Sequence, residues 1–310
     1  MKKIKKTLVV TIFATFLLAL LAACSSSGSV ENTQATRMFI DREGNEVEVP
    51  TNIETIISLA PSVTETLVNL GLGDRIIAID MNSEDVAGVP SGIPTFNMMA
   101  PDIESLVALN PDLIFSSSIN RVGGEDPFSQ VFDAGIAITA IPTSASIESI
   151  KEDIRFIGLV TNTETRAEEI VANFEREIEE ILQIVDGAGQ GITVYFEISP
   201  HPWLFSFGSG VFLNELIEML GATNILNDQE EWIPVSEEII IERNPDIIFT
   251  NVSYIDNAVE EILSRDAWGI LSAVENGNVH LVSVNTSSRS NENVVVALRE
   301  MAMAMFPERF

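Results

Sequence analysis

The chain is poor in the residues that carry out chemistry. It has one cysteine, Cys24, so no internal disulfide can form and no thiol pair can hold a metal. It has two histidines, His201 and His280, too few for a receptor that grips zinc or manganese through several imidazoles. His201 lies between Pro200 and Pro202, in a loop, and reads as a surface residue. No H-E-x-x-H pair, G-x-S-x-G elbow or Walker phosphate loop occurs. Gly71-Leu72-Gly73 lacks the third glycine of a dinucleotide fingerprint and reads as a turn closing a helix. These absences leave little for an enzyme to work with. Positive charge is scarce too. Beyond residue 23 there are one lysine, Lys151, and twelve arginines, against 46 acidic residues. Such a surface repels nucleic acid and anionic lipid, and it predicts a fold that gains from salt through screening. No second apolar run is long enough to cross a membrane.

What is present begins at the N-terminus. Lys2, Lys3, Lys5 and Lys6 precede an apolar run from Leu8 to Ala22, broken only by Thr11 and Thr15. Small residues then lead to Cys24 in Leu21-Ala22-Ala23-Cys24. A basic start, a short apolar segment and a small-residue cleavage site predict a signal peptide over residues 1–23. The lone cysteine at that point predicts a lipobox. Cys24 then carries a diacylglycerol and holds the chain on the extracytoplasmic face of the cell membrane. Residues 24–36, rich in Ser, Thr, Asn and Gly, read as a flexible tether.

The rest alternates short branched strands with helices, the rhythm of a parallel α/β sheet. Strands are predicted at 56–59, 76–79, 113–115, 138–141, 192–198, 247–252 and 279–284. Helices are predicted at 62–70, 103–109, 127–134, 212–220, 237–243, 257–264 and 292–305. Ser62 and Glu65 make a capping-box pattern. The middle has no strand signal. Residues 146–160 read as one helix, and 164–185 as a longer one whose apolar residues recur at helical spacing. The expected organisation is an N-terminal α/β lobe over 37–145, a helical linker over 146–186 and a C-terminal α/β lobe over 187–310.

An internal echo supports two related lobes. Asp102 to Phe115 and Ser236 to Phe249 each read as a short helix, an Asn-Pro-Asp turn and a buried strand. A single repeat of that length fits a duplicated lobe and not a solenoid.

Lipobox, α/β lobe, linking helix and second α/β lobe together resemble the solute-binding proteins of ABC importers. The resemblance is to those that bind cobalamin, ferric siderophores or haem. It is carried by Ile57-Ser-Leu-Ala-Pro-Ser-Val-Thr-Glu65, Asp102–Phe115, Phe212–Ala222 and Val235–Phe249. The resemblance implies two Rossmann-like lobes joined by a long rigid helix, with the ligand in the cleft between them and no chemistry performed on it. It implies a monomer that docks onto an ABC permease dimer with its ATPase, through Glu104 of one lobe and Glu238 of the other. From the residues alone, an acid in a helix's first turn also answers to the macrodipole.

Cleft residues should follow the carboxyl ends of strands. Candidates are Asn82, Met98, Ser117 and Arg121 in the first lobe, and Trp203, Phe205, Trp232, Tyr254 and Arg289 in the second. Exposed aromatics suit a large flat ligand. Arg289, in Thr-Ser-Ser-Arg-Ser, could meet a carboxylate or phosphate. Trp232 matches a cleft aromatic of cobalamin receptors, whereas Asn82, Met98 and Ser117 stand where others have aromatics. With only Arg121 and Arg289 as cleft cations, a corrinoid is favoured over a ferric siderophore or haem, and no cofactor or bound metal is expected. A two-lobed extracellular transferase, or a surface sensor or adhesin on the same scaffold, is the alternative. A transferase would need a phosphate loop or an acid/base pair in the cleft.

Overall fold

A computed structural model describes residues 35–118 and 127–310. Its first element is a hairpin of β1 (Thr36–Ile40) and β2 (Glu46–Pro50), turned at Asp41, whose carboxylate accepts from the backbone of Glu43 and Asn45. Five strands follow: β3 (Ile56–Ser58), β4 (Ile76–Asp80), β5 (Thr95–Phe96), β6 (Leu113–Ser117) and β7 (Ala137–Ile141). They form a wholly parallel sheet in the order β5-β4-β3-β6-β7. Such a sheet is buried on both faces, which explains the unbroken apolar strands. Ile56, Leu113 and Phe115 enter one core, while Ile57, Ile114 and Ile138 enter another under α2 (Ile103–Ala108) and α3 (Ser129–Asp133). The strand order reverses between β3 and β6, the place where doubly wound sheets bind ligands.

The helix α1 (Pro61–Asn69) corrects one expectation. Ala60 is its N-cap and Pro61 its first residue, with no side-chain cap, so Ser62 and Glu65 form no capping box. Proline has no N–H to leave unsatisfied and starts the helix unaided. The turn that closes α1 is as read: Gly71 sits at φ +82°, where a side chain would be strained.

Two helices link the halves. A capping box of Ser146 and Ser149 starts α4 (Ile147–Thr161), and Asn162 ends it in the left-handed conformation. The next helix, α5 (Glu164–Val185), has 22 residues, about 33 Å. Its buried stripe runs from Ala167 through Phe174 and Ile181 to Val185.

The second sheet is also parallel. Its strands are β8 (Thr193–Glu197), β10 (Thr223–Asn224), β12 (Ile247–Thr250) and β13 (Val279–Leu281), in the order β10-β8-β12-β13. Around it lie α6 (Phe212–Met219), α7 (Glu237–Arg243), α8 (Ala258–Leu263), α9 (Ser272–Glu275), α10 (Val284–Ser288) and α11 (Val294–Met305). A small antiparallel ribbon of β9 (Phe205–Phe207) and β11 (Trp232–Pro234) replaces part of the loop expected near residue 200. One apolar core is continuous from the first sheet through Ile154, Phe174 and Met301 to Val194 and Phe249 of the second. The lobes therefore share a spine of α4, α5 and α11.

The echo is a structural repeat. Asn110 and Asn244 both take positive φ, 46° and 40°, and each precedes Pro-Asp. The Asp112 carboxylate accepts from Thr55 N at 2.9 Å and Thr55 Oγ1 at 3.0 Å. The Asp246 carboxylate does the same with Thr193, at 2.8 and 2.7 Å. In each lobe the turn is thus pinned to the start of the central strand.

Candidate functional site: a cleft at the strand ends

Every strand of the first sheet delivers a residue to one cavity of about 350 Å³. Ala60, Pro61 and Ser62 follow β3, and Asn82 follows β4. Met98 follows β5, Ser117 ends β6, and Pro142 and Thr143 follow β7. The second lobe closes the cavity with α10 and the turn after it, through Val284, Asn285, Ser288, Arg289 and Ser290. The cavity therefore sits at the carboxyl edges of parallel strands, over the topological switch point.

Buried polar groups set this wall. The fully buried Asp80 carboxylate accepts from Asn82 N at 2.8 Å, Asn82 Nδ2 at 2.9 Å and Met98 N at 2.9 Å. One aspartate thus fixes two of the predicted cleft residues. Thr64 Oγ1 lies 2.8 Å from Ser58 Oγ and 3.2 Å from Ser83 Oγ, tying α1 to the two strand ends beside it.

Arg289 lines the cavity, but its guanidinium is already committed. Nη1 bonds the Glu65 carboxylate, and Nη2 donates to Asp85 at 2.7 Å and to the Asn82 carbonyl at 2.8 Å. All three partners belong to the first lobe. Burial works against the charge on Arg289, but the two carboxylates outweigh it and keep the group firmly protonated. Asp85 is held below the usual aspartate value: its partial burial is overcome by Arg289 and Asn285. Around this clasp Asn293 Nδ2 donates to Glu65 at 2.8 Å, and Asn291 Nδ2 to the Ser62 carbonyl at 3.3 Å. Asn69 Nδ2 donates to the buried Glu292 at 2.6 Å, and burial raises the Glu292 carboxyl. Arg289, read from the sequence as a cleft residue able to meet a carboxylate or phosphate, lines the cavity and meets two carboxylates of the protein itself.

The second-lobe aromatics do not join the walls of this cavity. Trp203, 80% exposed, follows β8, and Tyr254, 70% exposed, follows β12. They share the carboxyl edge of the second sheet with α10, outside the walled space. Phe205 and Trp232 lie in the ribbon, where Trp232 meets Phe207 edge-on at 5.7 Å and is 38% exposed. Arg121 and Cys24 lie outside the described residues. Glu104 and Glu238 are both exposed in the first turns of the repeated helices α2 and α7. Its own backbone and Ser236 hold the Glu238 carboxyl below the ordinary glutamate value. The neighbouring Glu237 is anchored instead, accepting from Trp268 Nε1 at 2.6 Å with His201 Nε2 at 3.3 Å. Among the described residues no cluster of side chains suits a metal ion. No described helix is long and apolar enough to cross a membrane.

The signal for the clasp was in the sequence but could not be read there. Glu65 looked like a local cap, and Asp85 lies 204 residues from its partner.

The fold has known counterparts. The chain is 28% identical to an ABC transporter substrate-binding lipoprotein of Bacillus subtilis, YvrC, over 96% of this chain and 98% of that one. It is 24% identical to a vitamin B12-binding protein of Vibrio cholerae, over 81% of this chain and 89% of that one. A solved structure of the Haemophilus influenzae molybdate periplasmic binding protein MolA, bound to molybdate, superposes with a TM-score of 0.76 at 20% identity, covering 88% of this chain and 92% of that one. The model of the periplasmic binding protein family matches residues 56–283, from the first strand of one parallel sheet through the last strand of the other, and the chain belongs to that family.

Proposed function

We propose that this protein is the extracytoplasmic solute-binding component of an ABC importer. The observation that carries this reading is the cavity itself: strand ends of one lobe and α10 of the other enclose it, over the switch point. Its described walls hold no acid/base pair and no phosphate loop, so they suit capture and release better than a transferase. The substrate-binding lipoprotein of B. subtilis, matched over nearly its whole length, supports the same reading. It also supports Cys24 as a lipid anchor that keeps the receptor close to a membrane permease and its ATPase.

Around the solute, uncharged polar residues such as Ser62, Asn82, Thr143 and Ser288 alternate with apolar ones, Ala60, Pro61, Met98, Pro142 and Val284. The cavity's one described cation is neutralised by Glu65 and Asp85. These groups favour a chelate whose rim is rich in neutral amides, such as a corrinoid, over a polyanionic ferric siderophore or haem. The vitamin B12-binding relative supports that preference. At about 350 Å³ the cavity takes one edge of such a ligand, and Trp203 and Tyr254 expose their rings at the carboxyl edge of the second sheet. The test is titration with cyanocobalamin, haem and ferric siderophores, read by tryptophan fluorescence. Saturable cyanocobalamin binding tighter than the others supports the corrinoid reading, and no binding across the panel overturns the chelate class.

Docking is proposed through Glu104 and Glu238, which occupy equivalent positions in the two lobes and suit a two-fold permease. Uptake by Glu104→Ala/Glu238→Ala should fall while solute affinity stays unchanged; full uptake would reject the role.

A further inference from the structure

Arg289 and Asn285 line two cavities at once. One is the solute cavity. The other, about 230 Å³, is lined by Glu65, Val68, Asn69, Asp85 and Asn293 together with the same Arg289 and Asn285. The two side chains stand between the cavities, and the carboxylates of Glu65 and Asp85 line only the second. Arg289 carries one positive charge, and Glu65 and Asp85 together carry two negative ones, so this end of the cavity is net negative. Asn285 Nδ2 adds a bond from α10 to Asp85 at 2.5 Å. An anionic solute that recruited Arg289 would strand Glu65, whose side chain is only 13% exposed, without its cation. Uncompensated buried charge is strongly disfavoured.

We propose that the Glu65–Arg289–Asp85 clasp is the specificity element of the cleft, holding its arginine in reserve so that anionic solutes are refused. This deepens the solute-receptor reading by stating what the cavity rejects, and it rests on that reading. The guanidinium has the planar fork that carboxylates and oxyanions bind best. Two protein carboxylates occupy that fork, so the arginine that lines the cavity has its charge met within the protein.

The test uses molybdate as a small anionic probe, titrated calorimetrically at fixed ionic strength. Glu65→Gln/Asp85→Asn unmasks Arg289 and should tighten molybdate binding at least about tenfold over the unaltered protein. Asp85→Asn alone, at a half-exposed position that tolerates the change, should give a smaller gain in the same direction. It decides the matter if the double variant does not fold. Adding Arg289→Gln to either variant should abolish the gain. The proposal is overturned if the carboxylate variants bind molybdate no better than the unaltered protein. It is equally overturned if the gain survives loss of Arg289, which would make it a general effect of removing negative charge. Titration of the unaltered protein with the chelate panel is separate: failure there overturns the solute reading and leaves the anion comparison standing.

Discussion

The two lobes share a scaffold and differ at its working edge. Each has the helix, the Asn-Pro-Asp turn at positive φ, and the aspartate that pins the neighbouring strand through a threonine. Four residues beyond those threonines the likeness ends. The first lobe has Leu59, buried among apolar neighbours, and the second has Glu197, buried and paired with Arg265 at 2.7 Å. Arg265 also bonds Glu261 and stacks on Trp268 with its guanidinium carbon 4.2 Å from the ring centre. The first lobe thus closes this place with an apolar side chain, whereas the second fills it with an ion-pair network and adds the β9–β11 ribbon. Turn chemistry is retained where it sets the scaffold, and divergence is concentrated at the strand ends, where binding is decided.

That comparison can be broken at its most asymmetric point first. Arg265→Ala leaves Glu197 as an uncompensated buried carboxylate and should destabilise the fold by about 3–5 kcal/mol in chemical denaturation. Leu59→Ala at the matching place removes only apolar packing and should cost about 2–5 kcal/mol, with no dependence on pH. Equal pH dependence in the two variants would dissolve the contrast.

The shared part predicts symmetry instead. Asp112→Ala and Asp246→Ala each orphan a threonine and a strand-start N–H, and each should cost about 1–3 kcal/mol. A large effect in one lobe and none in the other would mean that the repeat is a likeness of shape alone.

A smaller effect concerns acid. Burial raises the carboxyls of Glu197, Glu292 and Asp153. The folded state therefore holds protons there that the unfolded chain has released, and stability rises as the pH falls from neutral towards their raised values. Asp85 has the opposite sign. Its depressed value contributes stability that is present above the ordinary aspartate range and lost as the pH falls through its folded value. A melting-temperature profile should therefore rise gently on mild acidification and then drop, and a monotonic fall from neutral would mean that the depressed carboxyls outweigh the raised ones. Smallest of all, added NaCl should raise the melting temperature through screening of the net charge of −29.

How much of this was legible depended on distance along the chain. The linking helix was readable to the residue, because a stripe such as Ile170, Phe174, Ile178 and Ile181 is local information. So was the Asn-Pro-Asp turn. Asn82, Met98 and Ser117 were placed in the cleft because they follow strands, and the structure brings them to one cavity with Arg289. Asp80, which positions two of them, lay hidden as an ordinary strand end. The three-residue strands around Phe205 and Trp232 carry too little pattern to separate from a loop, so the aromatics there were expected in the cleft wall. The partners of Arg289 depend on how two lobes meet, which no window of sequence contains.

The central claim is that solute is held where the strand ends of the first lobe face α10. It is tested most directly by Ser288→Trp, which fills the cavity from an exposed position on α10, replaces no residue of the clasp and leaves Asn251 Nδ2 its bond to Ser287. Titrated beside the unaltered protein with the solute that the panel identifies, this variant should keep its melting temperature and lose affinity by about a hundredfold or more. Unchanged affinity in a folded variant would contradict the account and move the binding site away from this cleft.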